Sequence, residues 1–145
     1  MILSSTAAPD SLTSRLRKME WRVTWHHGEA LKPFGVNMYQ AMSLIYISWK
    51  GRETSVNQRS IEKYLYLSNP GVSKIIDFLQ KKGYVERNPD PRDARSYILR
   101  ATEAGDAFAQ KLNHAILEAD AAIMQPLTPS EQKIMVNLLE KIGET

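Results

Sequence analysis

Between Ser55 and Ala101 two short helical stretches are separated by a tight turn and followed by two strand-like runs around a turn-rich tip. Gln58 to Leu65 has the length of a two-turn helix. Ser68 then stands as an N-cap, and Pro70 falls in the first turn of the next helix, where its missing N–H costs little. Val72, Ile75, Ile76 and Leu79 share the inward face of that helix, which ends at Gly83 after the cation pair Lys81-Lys82. Tyr84-Val85-Glu86-Arg87 and Ser96-Tyr97-Ile98-Leu99 read as two strands flanking the tip Asn88 to Arg95. A turn-linked helix pair can lay its second helix in the DNA major groove, and a basic hairpin beside it can reach a neighbouring groove. The local order is that of a winged helix-turn-helix.

The flanking segments are helical too. Leu12, Leu16, Met19 and Val23 recur at helical spacing and predict a helix from about Ser11 to His27, broken by Gly28, Pro33 and Gly35; residues 1–9 are small and polar and read as a frayed start. Asn37 with Gln40 forms a capping box. The helix after it carries a stripe of Tyr39, Met42, Tyr46 and Trp49 and is apolar on its other faces as well, as expected of a central buried element. Thr102 opens a long helix to about Gln125, with Phe108, Leu112, Ile116, Ala119 and Ile123 on one face over roughly 35 Å. Thr128-Pro129-Ser130-Glu131 caps a last helix whose face is Ile134, Met135, Leu138, Leu139 and Ile142. A small DNA-binding head cannot cover so long a helix. The outer stripes are expected to pack on a second copy in a two-fold dimer, with a compact monomeric bundle as the alternative.

Composition narrows the function. With no cysteine among 145 residues, disulfides, thiolate metal sites and a cysteine nucleophile are excluded. From Lys50 to Arg100 there are eleven Lys/Arg against six Asp/Glu, a local net of +5, whereas the whole chain is only +3. Positive charge is therefore concentrated on the segment read as DNA-binding, although a solvated basic face with no partner would carry the same charge. No apolar run has the length of a membrane span, and the N-terminus lacks the basic segment and long apolar core of a secretory signal, so a soluble cytoplasmic protein is expected.

On Leu67-Ser68 through Gly83, Gly83-Tyr84-Val85-Glu86-Arg87, Pro89 to Arg95 and Thr102-Glu103-Ala104-Gly105, the chain resembles the MarR family of bacterial transcription regulators. The resemblance implies a mainly α fold with a small β-hairpin wing, a winged helix-turn-helix with N- and C-terminal dimerisation helices. Residues 37–101 would form the DNA-binding region, and 1–36 with 102–145 the dimerisation region of one compact chain. It also implies that Asp93 orients Arg95 and that Arg95 enters the minor groove, where a narrow groove concentrates negative potential. Arg92 would be a second wing cation. Ala94 departs from the family, whose members often carry Arg there, and Ala101 stands where Leu is common.

On the recognition helix Asn69, Gly71, Ser73, Lys74, Asp77 and Phe78 face outward. Asn69 has the groups to read adenine, Ser73 to contact base or phosphate, and Lys74 to meet guanine or phosphate. Phe78 either touches a thymine methyl or packs under the wing. Arg59 and Arg87 are expected backbone anchors. The expected function is sequence-specific DNA binding by a homodimeric repressor on a pseudo-palindromic operator, without a cofactor. The alternatives are a winged-helix module that binds protein and a small helical enzyme, although no phosphate loop, metal-protease helix or Gly-x-Ser-x-Gly elbow occurs.

Members of the family commonly bind small, often aromatic or anionic effectors between the dimer helices and the head. Trp21, Trp25, His26, His27, Tyr39, Met42 and Tyr46 supply groups suited to such a ligand, with core packing as the competing role. His26 and His27 are adjacent and point about 100° apart on a helix. A zinc site would need both to converge with His114 and a carboxylate such as Glu29, and no metal is expected.

Overall fold

The chain is described here by a computed structural model over residues 11–144, so the frayed start expected for residues 1–9 lies outside the described residues. Helix starts are set by short polar side chains. The Ser11 hydroxyl accepts from the Ser14 N–H at 3.1 Å and opens α1 (Leu12–Leu31). Asn37 and Gln40 bond each other's backbone N–H at 2.9 and 3.0 Å and open α2 (Met38–Lys50). Asn57 forms a second capping box, with Ser60, ahead of α3 (Gln58–Leu65). Thr102 caps α5 (Glu103–Met124), and Thr128 with Glu131 caps α6 (Pro129–Gly143). Each such cap is worth about 1 kcal/mol. Ser68 precedes α4 (Asn69–Lys81) in extended conformation but makes no capping bond with its side chain.

Three features differ from the sequence reading. Helix α1 runs through Gly28 to Leu31, because Leu31 is fully buried and His27 nearly so. That burial outweighs the penalty of about 1 kcal/mol for a helical glycine; the break comes at the 3-10 turn Lys32–Phe34. In α2 the deepest face is Ala41, Leu44 and Ile47, not the aromatic stripe, and Tyr39 and Trp49 are exposed. The strands are longer than expected, β1 spanning Val85–Asp90 and β2 Asp93–Ala101. They pair regularly from Val85↔Ala101 to Pro89↔Tyr97, then jump to Asp90↔Asp93, which leaves Ala94, Arg95 and Ser96 bulged out of the ladder. Pro89 is tolerated because a two-stranded hairpin has only edges.

Helix α2 lies at the centre, against α5, α4, α1, α3 and β2. Around Leu44 and Ile47 gather Leu31, Ile61, Val72, Ile76, Leu79 and Leu112, all at most 1% exposed. Val56 ties the hairpin to the helices, its carbonyl accepting from the Leu99 N–H at 2.7 Å. Helix α4 ends in a Schellman turn: Gly83 takes φ +79°, its N–H bonds the Gln80 carbonyl, and the Tyr84 N–H bonds that of Leu79. Helix α5 buries Gly105, Ala109, Leu112, Ala115, Ile116 and Ala119, but α6 buries no residue at all. Leu12, Leu16 and Met19 on α1 and Ile134, Leu138, Leu139 and Ile142 on α6 are left exposed.

Candidate nucleic-acid interface and the pocket behind it

The wing and the two helix-turn-helix elements enclose a polar groove of about 500 Å³. Of the residues singled out in the sequence, Arg59 from α3, Asn69 from α4, Arg87 from β1, and Asp93 and Arg95 from β2 line it together. Ser73 and Lys74 are on α4 outside the groove, and Arg92 projects at the hairpin tip with its Nε 3.5 Å from Asp90. Beside Asn57, the carboxylate of Glu62 and Leu99, the wall also includes Gln58, Ser96 and Tyr97. Sequence spacing gave no sign of these three, because the groove forms only when β2 folds back beside α3. Gln58 also donates to the Asn69 carbonyl at 3.2 Å, which fixes the start of α4 against α3.

The bonds of Asp93 and Arg87 differ from their expected roles. Asp93 does not pair with the Arg95 guanidinium; its carboxylate accepts from the Arg95 backbone N–H at 3.0 Å. Asp90 does the same for the Arg92 N–H at 2.9 Å. Both aspartates thus shape the turn, because a short carboxylate two residues back satisfies a backbone donor that the hairpin leaves free. The exposed Arg95 side chain is left projecting from the bulge. Arg87, by contrast, is bonded to α4, with one guanidinium nitrogen 2.7 Å from Asp77 and another 2.8 Å from Gln80 Oε1. It braces the wing against the recognition helix. Phe78 packs against the core with Lys82 Nζ 5.8 Å above its ring, which decides its role in favour of packing.

A second pocket, also of about 500 Å³, opens between α1, α2, α3 and α5. Met38, Met42, Ile45 and Ile116 supply apolar wall, and Thr24, His27, Tyr39, Tyr64, Asn113 and Asp120 the polar groups. His27, Tyr39 and Met42 were expected there. Trp21 and Trp25 are exposed and line no part of it, and Tyr46 reaches it only indirectly, stacked on Tyr64 at 4.5 Å. His27 is 5% exposed and its Nε2 lies 2.6 Å from Asp120 Oδ1, a contact across 93 positions that no spacing rule reveals. Burial pushes the Tyr64 hydroxyl above the usual tyrosine range, and the neighbouring Tyr46 adds to the shift, so Tyr64 stays a neutral phenol at neutral pH. His114 lies 3.1 Å from Glu118, and the edge of one ring of the Trp25–His26 pair meets the face of the other. The three histidines therefore do not converge, and among the described residues no three metal-ligating side chains cluster.

The family model described as MarR family matches residues 39–96, from the start of α2 to the middle of β2. Over this segment, 58 of its 145 residues, the chain is similar to the MarR family. It is 25% identical over 116 residues to the HTH-type transcriptional regulator YwaE of Bacillus subtilis, a match that takes in 80% of this chain and 66% of that protein. It is also 25% identical to the HTH-type transcriptional regulator BilQ of Clostridium symbiosum, over 79% of this chain and 78% of that one. The fold of a MarR-family regulator from Rhodococcus sp. RHA1 superposes with a TM-score of 0.85 at 21% identity, covering 97% of this chain and 99% of the other. CouR from Rhodococcus jostii RHA1, solved with p-coumaroyl-CoA, gives 0.81 at 20% identity over 97% and 96%. A MarR variant from Escherichia coli complexed with operator DNA gives 0.79 at 22% identity over 90% and 92%. The first three of these proteins are named as transcriptional regulators. Among the described residues no helix is long and apolar enough to cross a membrane.

Proposed function

We propose that this chain is a cytoplasmic, homodimeric repressor of the MarR family that binds a pseudo-palindromic operator and is released by a small aromatic effector. Residues 37–101 form the DNA-binding region, and 1–36 with 102–145 the dimerisation region. The observation that carries the reading is the shared groove: Arg59, Asn69 and Arg95 come from three different elements to one face, beside the exposed side of α4. Asn69, Ser73 and Lys74 meet base edges or phosphates in the major groove, Arg59 and Arg92 hold backbone phosphates, and Arg95 enters the minor groove. Asp93 and Arg87 act by placing the wing. The two heads of a dimer would address half-sites about one helical turn apart.

Arg95→Ala is expected to weaken operator binding about tenfold and to lower the slope of log affinity against log salt by roughly one unit. Fluorescence anisotropy on an operator found by genomic DNA selection measures both. An unchanged slope would remove Arg95 from the phosphate-lined groove, and a selection with no enriched motif would sink the DNA-binding reading as a whole. Arg87→Ala is expected to behave differently, lowering affinity severalfold with a slope changed by much less than one, because it loosens the wing without removing a phosphate contact. A full unit of slope lost in Arg87→Ala would show that the residue leaves Asp77 for the DNA.

The effector site in this proposal is the pocket between α1, α2, α3 and α5. Tyr64 belongs to α3, so a ligand there touches the helix-turn-helix directly. It would relieve repression by binding one spacing of the two heads better than the other. The neighbour CouR, holding p-coumaroyl-CoA, supports an effector in a fold of this kind.

A further inference from the structure

The pocket beneath α1 has a sign of charge that its shape alone does not reveal. Among the described residues its lining contains no lysine and no arginine, and its one carboxylate is Asp120. That carboxylate is held from behind by His27, a ring 5% exposed, through a single 2.6 Å contact to Oδ1. Its side chain remains 48% exposed, and among the described residues no other side chain pairs with it. Protonation of His27 does not reverse the sign. With a neutral ring the pocket carries the charge of Asp120, and with an imidazolium the pair is neutral; in neither state is it positive.

A carboxylate ligand entering this space would lose its hydration and gain no cation in return. A cation would gain a charge-assisted bond to Asp120 in a lining that also holds the aromatic rings of Tyr39 and Tyr64. Met38 and Met42 can adapt their side chains to a flat ring, and about 500 Å³ suits a ligand of one or two fused rings. We propose that the pocket accepts planar aromatic cations, with an amidinium or ammonium group directed at Asp120, and excludes aromatic carboxylates of the same shape. The proposal rests on the effector reading above and fixes the chemical class that the reading leaves open.

The test uses three probes with one ring system and three charges: 2-naphthamidine, 2-naphthamide and 2-naphthoate. Calorimetric titration into the full chain at pH 7 is expected to show 2-naphthamidine binding about tenfold tighter than the amide, with the naphthoate weaker than both. Asp120→Asn keeps an acceptor for His27 and is expected to level the amidine with the amide. Circular dichroism checks that this variant is folded. Met42→Trp, which fills the pocket, is expected to weaken all three and so locates the binding. A preference for the naphthoate, or an amidine affinity unchanged by Asp120→Asn, overturns the charge assignment while leaving an effector pocket in place. Failure of all three probes to bind overturns the effector reading and this proposal together.

Discussion

Replacing Gly105 by alanine is expected to destabilise the chain by about 3 kcal/mol and to lower its melting temperature by roughly 10 °C. Gly105 lies in the first turn of α5, where the helix start is pressed against the end of the Schellman turn. A Cβ built there would lie 2.0 Å from the Tyr84 carbonyl oxygen and 2.9 Å from its carbon. Both are backbone atoms, so no side chain can swing aside. The Tyr84 carbonyl is also engaged by the Thr102 N–H at 3.0 Å, while the Thr102 hydroxyl donates to the Gly83 carbonyl at 2.6 Å. An alanine must therefore push α5 off the root of the hairpin or break the Thr102 clamp. Either change tilts the wing, and operator affinity should fall with stability. Thermal unfolding followed by circular dichroism measures the effect; a melting point within about 2 °C of the parent would mean that this junction yields easily.

The second large effect concerns assembly. Leu138→Glu combined with Ile142→Glu is expected to turn the proposed dimer into a monomer and to weaken operator binding by about a hundredfold or more. Helix α6 buries nothing within its own chain, and both residues are more than half exposed there. Their loss therefore leaves the core of one subunit intact. In a dimer that packs α6 of each subunit on the other, four carboxylates would be driven into an apolar seam without partners. A monomer retains one head, and binding at the second half-site no longer benefits from being tethered to the first. Light scattering gives the mass, circular dichroism should show the helical content retained, and anisotropy gives the affinity. A double variant that stays dimeric would move the interface away from α6.

How much of this could be read in advance differs from one residue to another. The capping pairs Asn37–Gln40 and Thr128–Glu131 and the helix-ending Gly83 were legible because their partners lie within a few residues. The inward face of α4 was legible because periodicity reports burial when one side is wet and the other dry. Arg95 and Asp93 were legible as a pair but not in their bonding, since spacing cannot tell a carboxylate that meets a guanidinium from one that meets a backbone N–H. Arg87 read as a DNA-backbone anchor, because its partners Asp77 and Gln80 belong to another element.

The sequence alone determined where the helices begin, that a basic hairpin follows a helix pair, and that two outer helices carry more apolar surface than one subunit covers. These are properties of neighbours along the chain, set by hydrogen-bond caps and hydrophobic period. Tertiary structure alone decided that Gly105 must lack a side chain, that Arg87 braces α4, and that His27 meets Asp120 to give the rear pocket its sign. Each depends on atoms brought together across 10 to 93 positions, and only the packing of α5 and the hairpin on α2 fixes those distances.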